Sequence, residues 1–162
     1  MIAGKYQHHI IRKEDVQLRR SLYIRILPME EPIIRLRPHH ALCIRHFTGH
    51  GYSPEFTENM TRLIARLNSG NHVMVQIIMH RDSLCVACPH DHDHLCATEE
   101  KVRAFDRATA AACGLRSGQW LSWQELCALV DKHIFEPQRF DAICSTCEWY
   151  SLCQAQRQQA SP

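Results

Sequence analysis

The apolar positions of this chain change their spacing along its length, and each change marks an element. Phe56, Met60, Leu63, Ile64 and Leu67 recur at helical intervals. Ser53 stands before them as an N-cap, Pro54 takes the first helical position, and Gly70 stops the run. Residues 73–79 are β-branched and apolar without helical spacing, which predicts a strand. Residues 33–37 alternate apolar with basic side chains, as a half-buried strand does. Pro38 then suits the first turn of a helix through Cys43 to Phe47, broken by Gly49 and Gly51. Residues 98–112 predict a helix with Val102, Phe105, Ala108 and Ala112 inward and Gly114 at its end. Ser122-Trp123-Gln124-Glu125 reads as a capping box that starts another helix, through Ile134. Pro137 opens a short helix, and residues 148–155 read as a further one.

The N-terminal stretch, 1–28, is charged and poorly patterned, with a possible strand at 21–27 ended by Pro28. It is taken as an extension, with Met29 as a candidate alternative start. The body of the domain is then 29–155, and 156–162 is a polar, frayed tail. The fold class expected is α+β: a mainly helical single domain with one small β-sheet and cysteine-rich metal-binding loops. The sheet would use 33–37 and 73–79, joined by 21–27. The Phe56/Met60/Leu63/Leu67 stripe would pack against Phe105 and against Leu126, Leu129 and Val130. No internal repeat is present.

Charge narrows the partners. The 162 residues carry a formal charge of +2, too near zero to argue for a nucleic acid or a membrane surface. No apolar run is long enough for a transmembrane helix or a signal peptide, so a cytoplasmic, reducing setting is expected. In that setting the nine cysteines point to metal or redox chemistry rather than to structural disulfides.

Seven of those cysteines fall into a pattern. Cys85-x2-Cys88-x7-Cys96 and Cys144-x2-Cys147-x5-Cys153 are two triads, and Cys43 lies upstream. A C-x2-C pair puts two thiolates on one tight turn, and a third cysteine can close over the same centre. Each triad is one ligand short of the four that a tetrahedral zinc or a four-iron cluster takes. Thiolate is a soft ligand that suits zinc, copper(I) and iron–sulfur clusters. Zinc ribbons pair two C-x2-C knuckles, which would leave Cys96 and Cys153 over. Two triads are more economically read as cluster half-sites, with one or two 4Fe-4S clusters as the cofactor and zinc as the alternative. Cys43 is the seventh candidate ligand and His39 or His40 the eighth, both at helical spacing from Cys43. One cluster plus a zinc site also fits, as does a cluster with a non-protein ligand at its fourth iron.

Other polar groups have plainer readings. Cys113, just before the helix-ending Gly114, and Cys127, within the helix that starts at Ser122, read as ordinary thiols. His90, His92 and His94 alternate with Asp91 and Asp93 in what reads as a solvated loop. Arg35, Arg37 and Arg45 bracket the histidine pair, either as an anion site or, preferred, as a solvated basic strand edge. No glycine-rich phosphate loop, Ser-His-Asp pattern or basic–aromatic nucleic-acid motif occurs.

The second triad, with Trp149, Tyr150 and Leu152 inside it, resembles the C-x2-C-x5-C segment of RecB-like nucleases. In those, a distant upstream cysteine completes a four-iron cluster. The E-x-K of that superfamily has a formal counterpart in Glu99-Glu100-Lys101, but no partner aspartate motif accompanies it. More of the chain is similar to a family of small bacterial and archaeal proteins of unknown function, numbered 1284 and described as iron–sulfur binding. That resemblance is carried by Leu36-Arg37-Pro38-His39-His40-x2-Cys43 and by Gly51-Tyr52-Ser53-x2-Phe56-x2-Asn59-Met60. It continues in Cys85-x2-Cys88-Pro89, Cys96, Ser122-Trp123-x-Glu125-Leu126 and Cys144-x2-Cys147-Glu148-Trp149-Tyr150-x2-Cys153. It implies that the seven cysteines and the histidine pair form the polar signature, without Cys113 and Cys127. Three functions follow as expectations. The first is a redox or electron-transfer module serving a partner protein or a small molecule. The second is an enzyme with an incompletely ligated cluster or metal, in which His39 or His40 is ligand or acid/base. The third is a structural zinc-binding interaction protein.

Overall fold

The computed structural model describes residues 33–70 and 72–159. The extension at 1–28 and the strand expected at 21–27 lie outside the described residues.

Strand β1 is Ile34–Leu36. It alternates as expected, with Ile34 and Leu36 buried and Arg35 exposed. After Pro38 the chain turns into helix α1, His40–Arg45, whose Ala41, Leu42 and Ile44 face the core. Helix α2, Pro54–Leu67, begins as its sequence predicts. The Ser53 hydroxyl accepts from the Phe56 amide at 3.1 Å, and Pro54 occupies the first turn, where no intrahelical donor is needed. Phe56, Met60, Leu63 and Leu67 are its buried stripe. Strand β2, Met74–Ile77, follows and pairs in parallel with β1, Ile34 opposite Val75 and Leu36 opposite Ile77.

A 3-10 turn, Cys85–Ala87, leads to a hairpin of β3, Asp91–His92, and β4, Leu95–Cys96. Helix α3, Glu99–Cys113, ends on Gly114 at φ 66°, a left-handed cap that glycine adopts without a Cβ clash. Strand β5, Trp120–Ser122, pairs antiparallel with β2 and completes a three-stranded sheet of order β1-β2-β5. Helix α4, Trp123–Val130, starts in the predicted capping box. Ser122 Oγ accepts from the Glu125 amide at 3.2 Å, and the Ser122 amide donates to the Glu125 carboxylate at 2.7 Å. It passes into a π-helical turn, Asp131–Phe135, that keeps Ile134 in the core. Helices α5, Phe140–Cys144, and α6, Tyr150–Gln159, close the described chain.

The described residues thus form a mainly helical α+β domain. Its core joins the α2 stripe to Val75 and Ile77 of β2 and to Leu126, Val130 and Ile134. Three expectations need correction. There are two small sheets among the described residues, because 91–96 folds as a hairpin around Asp93 and His94 at φ 49° and 67°. Two successive positive φ values are what a type I′ hairpin turn requires, and neither residue is the glycine that usually signals it. The buried face of α3 is Phe105, Asp106, Thr109 and Cys113, with Ala108 and Ala112 only half-buried. Residues 156–159 continue α6 rather than belonging to a frayed tail. Among the described residues no helix is long and apolar enough to cross a membrane.

Candidate metal centre

Because β1 and β2 run parallel, their C-terminal ends lie side by side, the usual place for a site in such sheets. β1 hands the chain to Arg37, His39, His40 and then Cys43. β2 hands it to Asp82 and the Cys85 turn. Asp82 ties the two exits together. Its Oδ2 accepts from the Arg37 amide at 2.8 Å and from His40 Nδ1 at 2.6 Å. Its Oδ1 accepts from the amides of Leu84 and Cys85 at 2.9 and 3.1 Å. Burial works to raise the carboxyl pKa. The His40 imidazole and the Arg37 and Cys85 amides outweigh it and hold Asp82 ionised, well below the usual carboxylate range.

A second lock joins β1 to α3. Arg37 is 1% exposed, and its Nε–H donates to Asp106 Oδ2 at 2.6 Å. Its two terminal nitrogens meet both oxygens of Glu99 at 3.0 and 3.2 Å. The preferred reading of Arg37 as part of a solvated edge is therefore overturned: the sequence did not reveal that two carboxylates of α3 neutralise it in the interior. Asp106 also accepts from His39 Nδ1 at 2.6 Å. Burial, then the charge of His40, lowers the His39 pKa to about 4, so the ring is neutral at neutral pH. Its Nδ1–H is committed to Asp106, which leaves Nε2 with a lone pair. The rings of His39 and His40 lie 4.2 Å apart, and Phe105 packs on His39 at 5.9 Å rather than joining the α2 stripe.

Both C-x2-C pairs form the expected tight turns. The Cys88 amide donates to the Cys85 carbonyl at 3.0 Å, and the Cys147 amide to the Cys144 carbonyl at 2.8 Å. Cys96 comes to Cys88 on strand β4, and Cys153 returns on the first turn of α6. A cavity of about 130 Å³ is lined by all seven patterned cysteines and by both His39 and His40. Cys113 and Cys127 are not among its lining residues. Cys113 is buried, its Sγ 3.7 Å from the Leu129 carbonyl, and Cys127 lies against Arg45.

The thiols influence one another in two groups. Burial raises the Cys43 pKa well above that of a free thiol, and the charges of Cys147, Cys144 and Cys153 add to it. Cys144 is pushed up to about 12 and Cys153 to about 11, by burial first and by neighbouring thiols second. In the other group burial raises Cys88, countered in part by a hydrogen bond at His90 and reinforced by Cys96. Burial and then the Asp82 charge raise Cys85. Packed thiols that resist ionisation in each other's company are what a bound cation reverses, since it favours thiolate outright. The donor set therefore fits a metal–sulfur centre.

Aromatic groups close the cavity. Trp149 meets Tyr52 edge-on at 5.3 Å, Tyr52 meets His90 at 4.8 Å, and Tyr150 stacks on Phe140 at 6.0 Å. His92 and His94 stay exposed on the hairpin, and Asp91 pairs with Arg81 at 2.7 Å. Sequence reasoning missed Asp82 and Asp106, and named Tyr52 only as part of the family pattern, with no place at the site. A signal existed for Asp82, which precedes Cys85 by three residues, whereas Asp106, a carboxylate four residues after Val102, reads as solvent-facing.

The model of a family described as "Protein of unknown function (DUF1284)" matches residues 51–153. The match includes both triads and begins after the segment that holds His39, His40 and Cys43. No curated protein and no solved structure matches the chain.

Proposed function

The chain belongs to the DUF1284 family, and we propose that it is a metal–sulfur protein that carries iron–sulfur clusters and serves as a redox or electron-transfer module. The observation that carries this reading is the meeting of seven patterned thiols on one cavity, to the exclusion of Cys113 and Cys127. A bound cluster would supply one-electron chemistry. Cys43, Cys85, Cys88, Cys96, Cys144, Cys147 and Cys153 would hold it as thiolates. Trp149, Tyr150, Leu152 and Phe140 would keep water from the sulfurs, which favours a stable, shielded centre. Tyr52, 38% exposed, stands between this wall and solvent, where a partner protein or small molecule would approach.

A second reading has one observation in its favour. Cys43 feels the charges of Cys147, Cys144 and Cys153, and four neighbouring thiols are also what structural zinc takes. Paramagnetic resonance of anaerobically purified protein, before and after a chemical reductant, separates the two. The redox reading expects a signal that appears on reduction and disappears on reoxidation. A protein silent in both states, with its thiols protected, would favour zinc.

A further inference from the structure

We infer that the two triads are completed by different ligands: Cys43 finishes the set Cys144, Cys147 and Cys153, whereas the His40 imidazole finishes the set Cys85, Cys88 and Cys96. The inference rests on the metal–sulfur reading above and concerns which side chains divide the cavity between them.

Cys43 is committed by its surroundings. It lines the cavity together with both triads and with Phe140 and Tyr150. The thiols that act on it most strongly are all three members of the C-terminal triad. That leaves the middle triad without a fourth sulfur. Among the described residues, a ring nitrogen of His40, a carboxylate oxygen of Asp82 and Cys85 Sγ lie within 4.8 Å of one another, close enough to share one centre. The bond from His40 Nδ1 to Asp82 at 2.6 Å then has a clear chemical sense. A carboxylate that takes one ring N–H fixes the tautomer and turns the other nitrogen, Nε2, outward as a ligand. Asp82 also receives the Cys85 amide, so one buried carboxylate holds imidazole and thiol in a fixed relation.

His39 is oriented the same way but belongs to another structure. Its carboxylate is Asp106 of α3, which Arg37 also occupies. Among the described residues the side chains of that lock hydrogen-bond to one another, and it is the Arg37 backbone amide, not His39 or Asp106, that meets Asp82 on the Cys85 side. His39 is thus a wall of the cavity, and His40 is the ligand.

The consequence is a pair of unlike sites, one of four thiolates and one of three thiolates and an imidazole. Imidazole is neutral where thiolate is anionic, so the histidine site carries less negative charge and has the higher reduction potential. The test uses the full chain purified without oxygen, with iron and sulfide content and a redox titration followed by paramagnetic resonance. The wild type is expected to show two potentials. His40→Cys should keep the wild-type iron content and lower the upper potential while the lower one stays. His40→Ala should lose about half of the iron, and His39→Ala should lose none. Wild-type iron and sulfide with His40→Cys and His40→Ala both unchanged would overturn this inference alone. So would loss of iron in His39→Ala but not in His40→Ala. A wild type without iron and sulfide would overturn the iron–sulfur reading beneath it, and this inference with it.

Discussion

Arg37 shows what a single side chain does here. It is buried, and its charge is met by Asp106 at 2.6 Å and by Glu99 at 3.0 Å. Removing one partner of such a pair leaves the others charged without compensation, which costs about 3–5 kcal/mol. Arg37→Met should therefore lower the stability of the metal-free protein by that order in a denaturant titration. The same lock sets a pH dependence. Burial alone would raise the Asp106 carboxyl, but His39 and Arg37 outweigh it and hold it below its ordinary value of 3.8. A carboxyl depressed in the folded state binds fewer protons than in the unfolded chain. Its contribution is present above the unfolded pKa and is lost as pH falls through the folded one. Burial keeps His39 neutral in the fold, its pKa lowered to about 4, so stability of the metal-free protein should begin to fall below about pH 6.5, where the unfolded histidine takes up a proton, and fall further below about pH 4 as the Asp106 contribution is lost. Arg37→Met should make that fall shallower, and denaturation midpoints across an acid series would show it.

At the scale of elements, the caps were legible because they are local. Ser53 before Pro54, and Ser122 three residues before Glu125, place their oxygens on orphan amides through nearest-neighbour geometry. Ser53→Ala and Ser122→Ala should each cost about 1 kcal/mol, independently, since they cap different helices. Thermal or chemical unfolding of the two single variants and the double variant checks both the size and the additivity. What was not legible depended on partners far away in sequence. The inward face of α3 contains Asp106 and Thr109, and apolar periodicity alone places such residues outside. Asp106 is inside because Arg37 and His39, more than sixty residues earlier, neutralise it. The hairpin at 91–96 was hidden for a different reason: Asp93 and His94 adopt positive φ without the glycine that marks such turns.

At the scale of the molecule, the seven cysteines were readable from spacing, and the structure places all of them on one cavity. Spacing could not say how Cys43 comes to one cavity with residues 144–153, because that depends on tertiary packing of segments about a hundred residues apart. Nor could it give the Asp82 link that ties the His40 helix to the Cys85 turn. If metal completes this arrangement, binding and folding are coupled. Metal removal by a chelator under reducing conditions should then lower the unfolding midpoint, and Cys43→Ser should reduce the difference between the metal-bound and metal-free forms. Calorimetry of both pairs reads this directly. The central claim, that these thiols carry iron–sulfur clusters, is tested most directly by iron, acid-labile sulfide and zinc analysis of protein never exposed to oxygen. The account predicts iron and sulfide in equal amounts, about four of each per cluster. Stoichiometric zinc without sulfide would contradict it.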